Sequence, residues 1–263
     1  QRPLRSQKGL GGICEFENRV INTVEERKEK TRRIGLKVCP KSSPLFQEFK
    51  MWQVINNLKV NGRELDQDQK EMLAEELSIR GRMSDKDVLK ILFKNPKDLR
   101  LNFKSVEGND TQAALYVAYS KIIAATGHQE YDFSRMPAAD SRETVSRIFS
   151  ALGWKTDFLT FDSSLENPDY ERQPLFRLWH LLYSYEGDNS VSGNASLIKY
   201  VSEITGMEEE YARILTGLTF APDYGNLSSK AIRKILPFMK DGNVYSLACE
   251  YAGYRHSAKS LTR

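Results

Sequence analysis

At 263 residues, with 28% charged and 40% hydrophobic residues, the chain is long enough to bury one large or two modest cores and too apolar to stay disordered. Its longest apolar stretch, around Ala113 to Ala125, is broken by Tyr119, Ser120 and Lys121, well short of the roughly 20 residues a bilayer span needs, so no membrane partner is expected. The net charge of +4 is unevenly spread: residues 1–61 hold 13 Lys+Arg against 6 Asp+Glu, residues 62–210 hold 18 against 26, and residues 211–263 hold 8 against 3.

Basic ends flanking an acidic middle fit two readings. One is chance clustering on a solvated surface. The other is a polyanion met by both ends while the middle faces away from it.

The first 43 residues read as a basic arm, with Gly9, Gly11 and Gly12 among Arg2, Arg5 and Lys8 and a charged run from Glu25 to Arg33. The glycine spacing matches neither phosphate-binding loop pattern, so a flexible arm is the simpler description. The opening residues Gln1-Arg2-Pro3-Leu4-Arg5 lack an initiator Met and a signal-type apolar core, so the sequence is expected to be a piece of a longer protein. Cys14, Cys39 and Cys249 are widely spaced and odd in number, which predicts buried thiols and a reducing compartment rather than disulfides or a zinc site.

From Pro44 onward the pattern is all-α. A helix from Pro44 to about Val60 places Leu45, Phe49, Trp52 and Ile55 on one broad face. Ser84 with Asp87, and Asp140 with Glu143, read as capping boxes before apolar runs, the second run stopped by Gly153. Further helices are expected over 110–126, 174–185, 195–205 and 208–218. The turn-rich stretches 156–172 and 186–194 read as flexible joints or loop tips. The expected division is the arm at 1–43, a first helical subdomain at 44–155 and a second at 156–263, with the two subdomains able to form one unit.

No reaction centre is legible. His128, His180 and His256 have no second ligand at metal spacing, and no nucleophile elbow occurs. The acidic runs Glu75-Glu76 and Glu208-Glu209-Glu210 read as solvated helix faces. No catalytic residue, metal ligand or cofactor is assigned to this chain.

The helix beginning at Ser228 divides labour most clearly. At ~100° per residue, Ile232, Ile235, Leu236 and Met239 share one face, while Lys230, Arg233 and Lys234 share the opposite one. Asn226 and Ser228 sit where the helix starts, so a phosphate there would meet side-chain donors, backbone N–H groups and the positive end of the dipole. Pro237 is expected to break the helix soon after. An ordinary amphipathic helix capped by Ser228 is the alternative.

The string Asp223-Tyr224-Gly225-Asn226-Leu227-Ser228-Ser229-Lys230-Ala231-Ile232-Arg233-Lys234-Ile235-Leu236-Pro237, followed by Tyr245-Ser246-Leu247-Ala248-Cys249-Glu250, resembles a stretch in the recognition lobe of the type II CRISPR effector nucleases, the "Cas nine" family, especially its compact II-C branch. Gln1-Arg2-Pro3-Leu4 resembles that family too, as do Pro44-Leu45-Phe46-Gln47-Glu48-Phe49-Lys50-Met51-Trp52-Gln53 running into Asn56-Asn57-Leu58, and Leu175-Phe176-Arg177-Leu178-Trp179-His180-Leu181-Leu182-Tyr183-Ser184. The series spans nearly the whole chain in consistent order.

The resemblance implies a multi-helix recognition-lobe bundle that holds a guide RNA–target DNA heteroduplex by its backbone while base pairing reads the sequence. It assigns backbone contacts to Arg2, Arg5, Asn226, Ser228 and Lys230; geometry adds Arg233 and Lys234 on the helix face and Lys8 in the arm. The family's HNH and RuvC catalytic segments, bridge helix and PAM-reading domain have no counterpart here. The implied parent is a bacterial, cytoplasmic, Mg2+-dependent RNA-guided endonuclease of antiviral defence, and this piece does not cut. The expected partners are guide RNA, the target DNA strand and the parent's nuclease domains. An alternative is a protein-interaction platform on which the parent's nuclease domain or a phage-encoded anti-CRISPR protein docks.

Overall fold

The computed structural model describes residues 38–184, 191–220 and 223–254. The described residues are mostly helical, with eleven helices and two short antiparallel strand pairs. The first 37 residues, and with them Arg2, Arg5, Lys8 and Cys14, lie outside the described set, as does His256.

Helix α1 (Pro44–Ile55) begins where the Ser43 hydroxyl accepts the Phe46 N–H at 3.2 Å, with Pro44 at the first helical position. It stops at Ile55 rather than near Val60. Asn61 and Gly62 take φ of 49° and 80°, and this Asn-Gly turn folds β1 (Lys59–Val60) onto β2 (Arg63–Glu64), with Val60 opposite Arg63. Asn-Gly is the pair that a two-residue hairpin turn demands, so local turn chemistry ends the helix that the apolar pattern would have continued.

Helix α2 (Gln67–Leu77), which the sequence reading does not delimit, carries a full capping box: Asp66 accepts from the Gln69 N–H and the Gln69 side chain answers to the Asp66 N–H. The next segment, β3 (Arg82–Ser84), leads directly into α3 (Asp85–Leu92), whose N-cap is Ser84 as expected, accepting from the Asp87 N–H. β3 pairs with β4 (Ser105–Glu107), with α3 and a loop between them in the chain, Met83 opposite Val106. Both of those side chains are buried.

Helix α4 (Asp110–Ala125) is followed by Gly127 at φ 86°. Helix α5 (Ala138–Ala151) departs from expectation at its start. It opens at Ala138, two residues before Asp140, and no side chain of its own segment caps it. Instead the Glu76 carboxylate reaches over from α2 and accepts the Ala138 N–H with both oxygens at 3.2 Å. Glu76 also pairs with Arg80 at 3.1 Å, so it is a half-buried cap rather than a solvated face. Gly153, at φ 79°, stops α5 as expected.

The stretch 156–172 is not a free joint. A 3-10 turn at Asp157–Leu159 sinks Phe158 completely, and α6 (Asp169–Arg172) sinks Tyr170. Their aromatic rings anchor the polar residues around them. Helix α7 (Pro174–Ser184) follows directly. α8 (Val191–Thr205) starts inside the Gly/Ser-rich stretch, because poor helix formers cost least in a first turn whose N–H groups lack intrahelical partners anyway. α9 (Glu209–Thr216), α10 (Ser229–Lys240) and α11 (Tyr245–Tyr251) complete the set.

Two cores hold these elements. One joins α1, α2, α3 and β4 to α10 and α11, with Phe176 and Trp179 of α7 entering it. The other packs α4, α5, α8 and α9 around the neighbouring face of α7, through Leu175, Leu178 and Leu182. α7 is the shared wall, and both cores draw residues from either side of position 155. No described helix is long and apolar enough to cross a membrane.

Candidate nucleic-acid interface

The expected inner face of α10 is fully packed: Ile232, Ile235, Leu236 and Met239 are each at most 2% exposed, set against α1 and α11. Four such side chains contribute roughly 1.5–3 kcal/mol each, which outweighs the ~3 kcal/mol an interior proline costs. Accordingly the helix does not break at Pro237 but runs on to Lys240.

Its far end is held by side chains of α1 and α2. Asn56 Nδ2 donates to the carbonyls of Met239 and Asn243, both at 2.8 Å, Gln67 Nε2 to Lys240 O at 2.7 Å, and Lys70 Nζ to Gly242 O at 2.7 Å. Burial lowers the pKa of Lys70, opposed by nearby Glu64.

The head of α10 is built from two distant pieces of chain. Cys39 N–H donates to Leu227 O at 2.8 Å, Lys41 N–H to Asp223 O at 2.9 Å and Gly225 N–H to Cys39 O at 2.9 Å, with Pro40 and Tyr224 in an antiparallel bridge. Gly225 is required at this crossing, because a Cβ there would stand 2.3 Å from Cε2 of Phe46. The Cys39 thiol, fully buried, sits 3.0 Å from Ser43 Oγ and 3.4 Å from Ser229 Oγ, between the first turns of α1 and α10. The basic arm therefore joins the described structure beside the first turn of α10.

The residues singled out from the sequence fare differently. Asn226, Lys230 and Lys234 are exposed, and neither lysine makes an ion pair with a described residue. Ser228 is 3% exposed, and its hydroxyl accepts the Ala231 N–H at 3.2 Å. With Ser229 at 1%, the amides at the very head are covered, so the N-cap reading of Ser228 describes it better than a phosphate contact. Arg233 turns inward: its guanidinium lies 4.5 Å from the centre of the Tyr170 ring and donates to Leu165 O at 3.3 Å. It fastens α6 and its loop to α10.

Sequence reasoning missed the Cys39–Lys41 ladder. The one local hint is Gly225 itself, a glycine in an extended stretch where another segment comes close. Lys41 also pairs with Asp223 at 2.8 Å, and the bond holds the Asp223 carboxyl below its ordinary range. At the other end, Lys240 is tied to Glu48 and, at 3.0 Å, to Ser163. The outward positive charge of α10 is thereby concentrated at Lys230 and Lys234.

Among the described residues no group of three or more His, Cys, Asp or Glu side chains could hold a metal. His180 is buried against Phe176 and Trp179, and burial lowers its pKa to about 4. No protein-family model matches this sequence, and no curated protein matches it.

Proposed function

We propose that this chain is a non-catalytic recognition-lobe module of a type II RNA-guided DNA endonuclease, gripping the guide RNA–target DNA heteroduplex through its phosphate backbone. The observation that carries the reading is the meeting of two basic segments: the arm enters beside the head of α10, whose outer face presents Lys230 and Lys234 to solvent. The ordered motif series supports the family assignment. In this reading cleavage, with its Mg2+, belongs to other parts of the parent protein in the bacterial cytoplasm, and Asn226, Lys230 and Lys234 join the arm residues Arg2, Arg5 and Lys8 in holding phosphates.

Titration of the full chain with an RNA–DNA heteroduplex tests it. Affinity should fall steeply as salt rises, with a log–log slope reporting a few released counterions. Replacing Lys230 and Lys234 by Ala should lower that slope by about two without lowering helix content. Absence of binding at low salt would remove the proposal.

The docking-platform reading rests on a different surface. A cleft of about 570 Å³ beside α4, lined by Arg82, Tyr116, Val117, Lys121, Glu130 and Asp132, lies within residues 62–210, mixes both signs of charge and leaves Val117 56% exposed. Capture of the parent's nuclease domain or an anti-CRISPR protein that survives the loss of both α10 lysines would assign such binding to the middle segment.

A further inference from the structure

Three residues of α10 follow each other at one-turn intervals: Lys230 and Lys234 on its outer face, and Phe238 at the edge of that face, packed against the core. Each step is about 6 Å of helix rise, similar in size to one nucleotide of an extended strand. Phe238 is half-buried, and against it lies the ring of Tyr251 from α11, with centroids 5.7 Å apart and planes at 54°. Tyr251 is 56% exposed, and its hydroxyl makes no hydrogen bond to a described residue. The buried side of α11 is supplied by Ala248 and Cys249, and its N-terminal end is fastened through Tyr245, edge-on to Phe49 at 5.8 Å. Tyr251 lies outside that buried side, packed on Phe238 and more than half exposed at the end of the basic stripe.

Charge along the stripe changes sign at that point. The lysines occupy the N-terminal half of α10, whereas its C-terminal end carries the negative pole of the helix and the exposed carboxylate of Asp241. Glu250, also exposed, directly precedes Tyr251. A phosphate is favoured beside Lys230 and Lys234 and disfavoured beside Tyr251, whereas an uncharged base suits an aromatic face and is indifferent to those carboxylates.

We infer that Tyr251, backed by Phe238, is a stacking platform for an unpaired nucleobase, belonging to a strand whose phosphates run along Lys230 and Lys234. The inference rests on the nucleic-acid reading above and sharpens it, adding to the duplex grip a subsite for a single-stranded or splayed-out nucleotide. Stacking of this kind tolerates any base, because every base has a π face, and contributes about 1–3 kcal/mol per base.

The experiment uses the full chain and a short single strand carrying a fluorescent purine analogue, with a blunt RNA–DNA heteroduplex as comparison. Wild-type protein should quench the analogue at low salt. Tyr251→Phe should preserve quenching and affinity. Tyr251→Leu keeps an apolar side chain without a π face; it should abolish quenching and weaken single-strand binding about 5- to 150-fold, with the salt slope, the heteroduplex affinity and the helix content unchanged. Replacing both lysines by Ala should do the reverse, lowering the slope while leaving quenching intact at saturation. If the strand binds with its usual salt slope but without quenching, or if Tyr251→Leu binds as tightly as wild type, the platform is refuted and the phosphate grip stands. If neither nucleic acid binds at low salt, both readings fall together.

Discussion

The backbone N–H of Cys39 donates to the carbonyl of Leu227 at 2.8 Å, and through this contact the first described residues of the chain lie against the head of α10. Gly225 permits the approach, since the Phe46 ring fills the space a Cβ would take. Gly225→Ala should therefore displace Phe46 or separate the two segments, at a cost of about 1–3 kcal/mol. Urea denaturation should show a lower midpoint with an unchanged slope, and heteroduplex affinity should fall with it because residues 39–41, which follow the arm, lose their seat at the head of α10.

Ser228 and Arg233 stand in the same helix as Lys230 and Lys234 but do different work. Ser228→Ala should lower stability by about 1 kcal/mol through loss of the cap. Arg233→Gln should remove the cation–π contact with Tyr170 and weaken the Leu165 contact, at about 0.5–1 kcal/mol. Neither should reduce the salt slope of nucleic-acid binding, whereas loss of the two lysines should reduce it with little change in thermal midpoint. A slope lowered by Arg233→Gln would return that residue to the phosphate contacts.

Asn56 ties the end of α1 to the end of α10 by two hydrogen bonds across the core. Asn56→Leu leaves the Asn243 carbonyl without that donor, while the Met239 carbonyl keeps a backbone N–H, and losing the two bonds costs about 1–3 kcal/mol. Hydrogen exchange should then accelerate in the last turn of α10 and in α11, while α4 and α5, packed in the other core, keep their protection.

His180 makes stability depend on pH in a defined direction. Burial lowers its folded pKa to about 4 from an ordinary 6.5, so between those values the unfolded chain binds a proton that the folded chain does not. Its contribution is fully present above about pH 6.5, falls as pH drops toward 4, and changes no further below that. The total is of order 3 kcal/mol. His180→Leu should shrink the loss of stability measured by urea unfolding between roughly pH 7 and pH 4.5. An undiminished loss would place the acid sensitivity elsewhere.

Elements whose determinants are local were legible in the sequence. Pro44 and Ser84 start helices where expected, Gly127, Gly153 and Gly206 end them with positive φ, and the 100° spacing of Ile232, Ile235, Leu236 and Met239 marks the buried stripe of α10. Where local signals competed, the stronger one won: the Asn61-Gly62 turn cut α1 short, and burial of Met239 carried α10 through Pro237.

The roles that only the tertiary structure decided all depend on partners far away in the chain. A carboxylate in an acidic run reads as solvated until a helix start such as Ala138 comes within reach, as it does for Glu76. A basic residue on an outer face reads as available until an aromatic ring such as Tyr170 lies beneath it, as it does for Arg233. By itself the sequence determined the apolar faces it singled out and the helix ends that carry strong local caps or stops, because periodicity and caps act over a few residues. The tertiary structure decided which charges remain outward, because hydrogen bonds and ion pairs form wherever the fold brings a donor and an acceptor together. For α10, that leaves Lys230 and Lys234.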